Sequence, residues 1–184
     1  MKLRFLLSIF SLLLAGAFMS NSGGRAASQN ADSTGSPIAN GAFCQSCHSS
    51  GAFNPSVTIE VLEVGTGNMI TEYVPGTNYD VKITVTAGSG TPNGFGSQTT
   101  VLDANNTNAA NFSTPSANAQ VSTVNGVNYL EQNDISTSGE FTAIWTAPTA
   151  GTGSVTFYTG ANAVNGGGST AGDGATKSTL SLTE

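Results

Sequence analysis

The chain has 184 residues, a formal charge of −6 and only 9% charged residues. An acidic chain with five Lys and Arg in all is poorly suited to nucleic acid, which excludes that class of partner. Gly, Ser, Thr and Asn are abundant where charge is scarce, so solubility rests on hydroxyl and amide groups, a composition that suits an exported β-protein.

At the start, Met1-Lys2-Leu3-Arg4 precedes an apolar run over 5–19 and then small and polar residues, the order of a secretory signal. Residues 1–17 are expected to be removed, with Ala15-Gly16-Ala17 as the cleavage site and later alternatives reaching residue 28. The run is short for a membrane span, no cysteine follows it directly to carry a lipid, and nothing later is apolar enough to cross a bilayer. Secretion or display at the cell surface is therefore expected, with the periplasm as the alternative. About 155–165 residues remain after export, enough for one domain with a sizeable core. Residues 18–41 lack apolar periodicity and are rich in Ser, Gly, Asn and Ala, which predicts a flexible leader.

Residues 42–54 carry the chemistry. Both cysteines and the single histidine of the chain fall within Cys44-Gln45-Ser46-Cys47-His48. This is the C-x-x-C-H arrangement of a covalently attached c-type haem, in which two thiols hold the porphyrin and the adjacent imidazole binds its iron. One haem c per chain is expected, bound by Cys44, Cys47 and His48. Other uses of these residues are a Cys44–Cys47 disulfide, which leaves His48 without a purpose, and a zinc site, for which the sequence offers no second Cys-x-x-Cys and no other His. A thioredoxin-like dithiol would need a strand-to-helix context that this Gly/Ser/Asn-rich stretch lacks.

Met69 is the only thioether left after export and is the candidate distal ligand of the iron, while the turn-like Gly65-Thr66-Gly67-Asn68 before it suits a thioether that simply caps the core. Lys82, Lys177, water or a group from a second subunit are the other candidates for that position.

From residue 55 to 184 short runs of period-two alternation are separated by Gly, Asn and Pro, which predicts antiparallel strands and almost no helix. Val57, Ile59 and Val61 form one apolar face, and Tyr79, Val81, Ile83 and Val85 the next. Strands are expected over 99–102, 121–124 and 127–130, the last two joined by Asn125-Gly126, whose residues tolerate the positive φ of a two-residue hairpin. Phe141, Ala143 and Trp145 share a face, with Trp145 expected in the core; Val155 and Phe157 continue the pattern, and a last strand is expected over 175–182. Low-complexity segments 103–118 and 161–174 read as surface loops. Asp173, the one acid near the end of the second, is a poor calcium cage by itself. The fold class is all-β: an immunoglobulin- or fibronectin-like antiparallel β-sandwich of about 7–9 strands, preceded by an extended haem-binding segment.

Phe43-Cys44-Gln45-Ser46-Cys47-His48-Ser49, then Tyr73-Val74-Pro75-Gly76-Thr77-Asn78-Tyr79, Gly94-Phe95-Gly96, Trp145-Thr146-Ala147-Pro148, Gly151-Thr152-Gly153-Ser154-Val155-Thr156-Phe157-Tyr158, and 162–165 ahead of Gly172-Asp173 follow one another in a fixed order. In that order and spacing the chain resembles the choice-of-anchor V domain family, secreted bacterial proteins related to reeler-type β-sandwiches. The similarity covers nearly the whole exported part. It implies an exported sandwich, often carried on a larger surface protein with a separate C-terminal anchor or sorting domain, and it implies no particular activity. Here only Thr183-Glu184 follow the last predicted strand, so no such anchor is expected.

Taken together, these readings lead to an exported monohaem c-type cytochrome-like protein working in extracytoplasmic electron transfer. Its partner would be a redox protein or neighbouring copies of itself, with assembly into a homo-oligomer through the haem segment as a further expectation. Catalysis by its own side chains is not expected, because the only His belongs to the motif and no Ser/His/Asp set or carboxylate pair stands at a recognisable spacing. The alternatives are an adhesive surface module with a Cys44–Cys47 disulfide, and a haem sensor or peroxidase-like protein with an open iron position.

Overall fold

The structure is a computed structural model that describes residues 22–184, so the expected signal peptide, residues 1–17, lies outside the described residues. A short helix, α1 (Arg25–Gln29), and two 3-10 turns (Pro37–Ala39 and Cys44–Ser46) come first. Ten strands follow: β1 (Ser49–Ser50), β2 (Pro55–Glu63), β3 (Asn78–Ala87), β4 (Gly94–Asp103), β5 (Phe112–Ser113), β6 (Ala119–Val124), β7 (Val127–Gln132), β8 (Glu140–Thr146), β9 (Val155–Val164) and β10 (Ala171–Leu182). They form two sheets, one in the order β1-β10-β9-β4-β7-β6 and one in the order β2-β3-β8-β5. Every pairing is antiparallel except that of β1 with β10. The expected two-sheet antiparallel sandwich is what forms, with the two-residue β1 and β5 added to the longer strands.

Register explains the core. Ile59 lies opposite Ile83 and Val61 opposite Val81, while Val81 and Tyr79 lie opposite Ala143 and Trp145 across the next pairing. All of these side chains are buried on one face. They meet Val101, Val155, Phe157, Ala161 and Leu182 from the larger sheet. A one-residue slip would turn each apolar set to water, so the alternation alone fixes the pairing. Between β6 and β7 the hairpin residues Asn125 and Gly126 have φ of 50° and 80°, as the two-residue turn requires.

Both segments expected as surface loops differ from that reading. Within 103–118, Ala109, Ala110 and Phe112 enter the core, and Phe112 pairs with Trp145 as part of β5. Within 161–174, β9 extends to Val164 and β10 begins at Ala171, which leaves a connection over 165–170. Small residues there pack against the facing sheet or the N-terminal segment, a role that hydrophobic periodicity does not report.

The described part of the expected flexible leader is a third layer laid over the outer face of the larger sheet. Glu131 of β7, fully buried, accepts hydrogen bonds from the backbone N–H groups of Ala26 and Ala27 at 2.8 Å each. Gln98 of β4 accepts from Ser33 N at 2.6 Å and donates to Ala31 O at 3.1 Å. Asp32 accepts from Thr34, Ser36 and Tyr129 side chains. The segment is held by polar contacts to its backbone, so its lack of an apolar pattern conceals its docking.

Candidate functional site

Cys44, Cys47 and His48 lie where this N-terminal layer crosses β9 and β10. The backbone makes a tight turn there: Cys47 N and His48 N both donate to Cys44 O, at 3.2 and 2.8 Å. Residues three apart on a 3-10 turn stack above one another, which brings the two cysteines to one side. Phe43, just before them, is covered by the Lys177 ammonium at 4.9 Å from its ring centroid. Gly160 of β9 makes room: a Cβ at that position would collide with Ser33 O and stand 3.3 Å from Cys44 Sγ.

The two thiols differ although both are free. Cys44 Sγ is turned in under the leader, 3.8 Å from Ser33 O, and burial pushes its pKa up to about 12. Cys47 is exposed. In the protein without haem, a thiol-alkylating reagent at pH 8 is therefore expected to modify Cys47 first, with Cys44 slowed by about 10-fold or more because its thiolate is scarce and its sulfur is covered. Mass spectrometry of a digest checks this, and equal labelling of both residues would refute it. Raising the pH toward 12 should bring Cys44 into reaction.

His48 follows directly, with its side chain 12% exposed. Its Nδ1 lies 2.7 Å from Oδ2 of Asp173 on β10. A carboxylate can only accept, so Nδ1 carries a proton and Nε2 is the nitrogen left to coordinate. No described residue hydrogen-bonds to Nε2. Asp173 is 1% exposed, and its second oxygen accepts from Asn165 N at 2.8 Å.

A small open cleft of about 40 Å³ adjoins the motif, and Arg25, Phe43, Cys44, Cys47, His48 and Asn162 are among its lining residues. Asn162 Oδ1 and Arg25 Nε are buried there with no hydrogen-bond partner among the described residues. Such orphaned groups are costly unless a bound group or water satisfies them. The donor set therefore fits a haem: two free thiols on one turn, an imidazole whose other nitrogen is held by a carboxylate, and a largely apolar cleft with two orphaned polar atoms beside them.

Other expectations meet different outcomes. Met69 is not brought to His48. It is 57% exposed and pairs with Leu62 just after β2. Residues 71–73 lie against Thr183 beyond the end of β10, whereas Asp173 is near its beginning. Ten strand residues separate the two ends, roughly 30 Å. Lys82 is also remote, paired with Glu60 at 3.1 Å on the smaller sheet, but Lys177 does stand beside the motif. Among the described residues no three His, Cys, Asp or Glu side chains converge on one point as a zinc or acid-rich site would require. Asp173 is engaged by His48 and Asn165 rather than by a ring of oxygens.

Sequence reasoning missed Asp173 as the partner of His48, because 125 residues separate them. Arg25, Gly160 and Asn162 were missed as well. The only signal for Gly160 is a glycine inside a strand, a mark of close backbone approach.

The molecule is thus an antiparallel β-sandwich with a Cys-x-x-Cys-His turn docked on its outer face beside a buried carboxylate. No protein-family model matches the chain, and no curated protein matches it in sequence. Among solved structures it is similar to two fragments of the human F-spondin reeler domain. One is 20% identical, with a TM-score of 0.48 over 70% of this chain and 91% of that one. The other is 21% identical, with a TM-score of 0.47 over 77% and 95%. The Reelin-N domain of F-spondin is 19% identical, with a TM-score of 0.44 over 75% and 92%.

Proposed function

We propose that the chain is an exported c-type haem protein that carries one haem on Cys44 and Cys47, with His48 as the proximal iron ligand, and that it transfers electrons outside the cytoplasm. One observation carries this reading: Nδ1 of His48 is committed to Asp173 at 2.7 Å, which leaves Nε2 for a ligand, and His48 lines one cleft with two free thiols. A haem supplies one-electron chemistry when bound. The chain's own residues hold it and set its surroundings. Cys44 and Cys47 anchor the porphyrin, Lys177 steadies the turn through Phe43, and Arg25 and Asn162 offer a donor and an acceptor to polar groups at the cleft. Export rests on the N-terminal charged and apolar residues. A redox protein or a neighbouring copy is the natural partner.

The remoteness of Met69 supports a second reading of the same site, in which the sixth iron position is left to water, to Lys177 or to an incoming small molecule. An open position would suit a sensor or a peroxidase-like protein.

Expression in a host with cytochrome c maturation machinery is expected to give a coloured protein with a pyridine haemochrome spectrum and an intact mass one haem above that of the polypeptide. The Cys44→Ala/Cys47→Ala double variant should be colourless and keep the sandwich, as judged by circular dichroism. A colourless wild-type sample whose two sulfurs are joined to each other would overturn the proposal and favour an adhesive module. An unchanged spectrum after Met69→Ala is also expected, since that side chain is far from His48.

A further inference from the structure

The carboxylate behind His48 is placed as few others in this chain are. It is almost fully buried, and among the described residues no lysine or arginine pairs with it. A buried carboxylate without a cation must be stabilised by donors. One oxygen of Asp173 receives Asn165 N, which is enough to hold the connection over 165–170 in place. The other oxygen faces the imidazole alone.

The backbone around the pair is built to the same end. Immediately after His48, β1 pairs with β10 in parallel, with Ser49 opposite Ala171 and Ser50 opposite Asp173. Gly51 N then donates to Asp173 O at 2.9 Å. Any side chain at Gly51 would collide with the carbonyl of Gly172. The strand that follows the imidazole and the strand that carries the carboxylate are therefore pinned to one another within three residues, which fixes the ring rather than merely permitting a contact.

We infer that Asp173 is the positioning residue of the iron ligand: it holds His48 in the Nδ1–H tautomer, aims Nε2 away from the sheet, and makes that nitrogen a stronger donor. The inference rests on the proposed role of His48. Hydrogen bonding of a metal-bound imidazole to a carboxylate orients the ring and raises its basicity, which stabilises the oxidised iron more than the reduced one. The carboxylate therefore lowers the reduction potential of the bound haem.

Two measurements test this. The chain has a single histidine, so in the full-length haem-free protein the ¹⁵N signals of one imidazole report the tautomer without assignment ambiguity. A proton on Nδ1 is expected; a neutral ring carrying its proton on Nε2 alone would overturn the inference without needing any variant. In the haem-loaded protein, Asp173→Asn keeps the shape and an oxygen for Asn165 N but removes the acceptor facing His48. Covalent haem should still be present by mass, and the reduction equilibrium should shift toward the reduced form by about tenfold, 59 mV for one electron. Asp173→Glu, which restores a carboxylate, should recover part of the shift. An unchanged potential in Asp173→Asn, with haem attached and the same melting temperature, would sink the inference while leaving the haem assignment standing. Absence of haem from the wild-type protein would instead remove the assignment itself.

Discussion

Cutting Trp145 back to alanine is expected to lower the free energy of unfolding by about 3–5 kcal/mol, the range for removing a large aromatic from a core that cannot collapse around the gap. Trp145 is fully buried and joins the two sheets. Its ring meets Phe157 of the larger sheet edge-on, with centroids 5.0 Å apart, and meets Tyr73 at 5.7 Å in the same manner. Tyr79 lies against it at 6.0 Å. The indole N–H donates to Ala109 O at 2.8 Å, which satisfies a carbonyl in the segment leading to β5. Truncation therefore opens a cavity and removes one of the two donors to a buried carbonyl, which keeps Asn111 N at 3.1 Å. Trp145→Phe should separate the two effects: the ring volume is largely kept, and the loss should fall to about 1–3 kcal/mol for the lost hydrogen bond and the smaller ring. Urea unfolding with an unchanged m-value checks both variants. A loss below about 1 kcal/mol for Trp145→Ala would show that this contact does not join the sheets.

What was legible in the sequence follows from which force holds each part. Strands that bury one face write their structure into the chain as alternation, and Val57, Ile59, Val61 and their counterparts in β3 and β8 read correctly for that reason. Asn125-Gly126 read correctly because backbone conformation alone demands those residues. The Cys-x-x-Cys-His turn was visible because both cysteines and the single histidine of the chain fall within five consecutive residues. Parts held by hydrogen bonds to the backbone left no such record. The segment before Cys44 has the composition of a linker and is nonetheless docked, since its partners are Gln98, Tyr129 and Glu131, far along the chain. Asp173 stood in a glycine-rich stretch that looked like a loop, and only the parallel pairing of β1 with β10 brings it under His48. Phe112 was hidden in low-complexity sequence because a two-residue strand is too short to show a period.

The carboxylate of Glu131 offers the means to separate the N-terminal layer from the sandwich. It is fully buried, and besides Ala26 N and Ala27 N it accepts from Gln98 Nε2 at 3.1 Å. The two backbone donors belong to the first turn of α1, which has no side-chain cap of its own. A five-residue helix is too short to persist alone, so its existence depends on this cap. Gly24 adopts φ of 87°, and a Cβ there would stand 2.6 Å from Glu131 Oε1, so the chain is shaped around the carboxylate. Glu131→Ala leaves two backbone donors without an acceptor and takes one of two acceptors from Gln98 Nε2, and hydrogen bonds to a charged group contribute about 1.5–3 kcal/mol each. Because the leader can peel away and find water, the net cost is expected to be about 2–4 kcal/mol and local. Amide exchange at Ala26 and Ala27 should rise by about 30- to 1000-fold, as that free energy implies, while Val81 and Phe157 in the core stay protected. The site should feel the change. Ser33, which covers Cys44 Sγ, is tied to Gln98, and Thr34 bridges Phe43, so release of the leader uncovers the sulfur. Alkylation of Cys44 in the haem-free variant should then approach the rate at Cys47. If Ala26 and Ala27 remain protected and Cys44 remains slow in Glu131→Ala, the leader is held by its apolar contacts of Ala26 with Val124 and Tyr129, and not by this carboxylate.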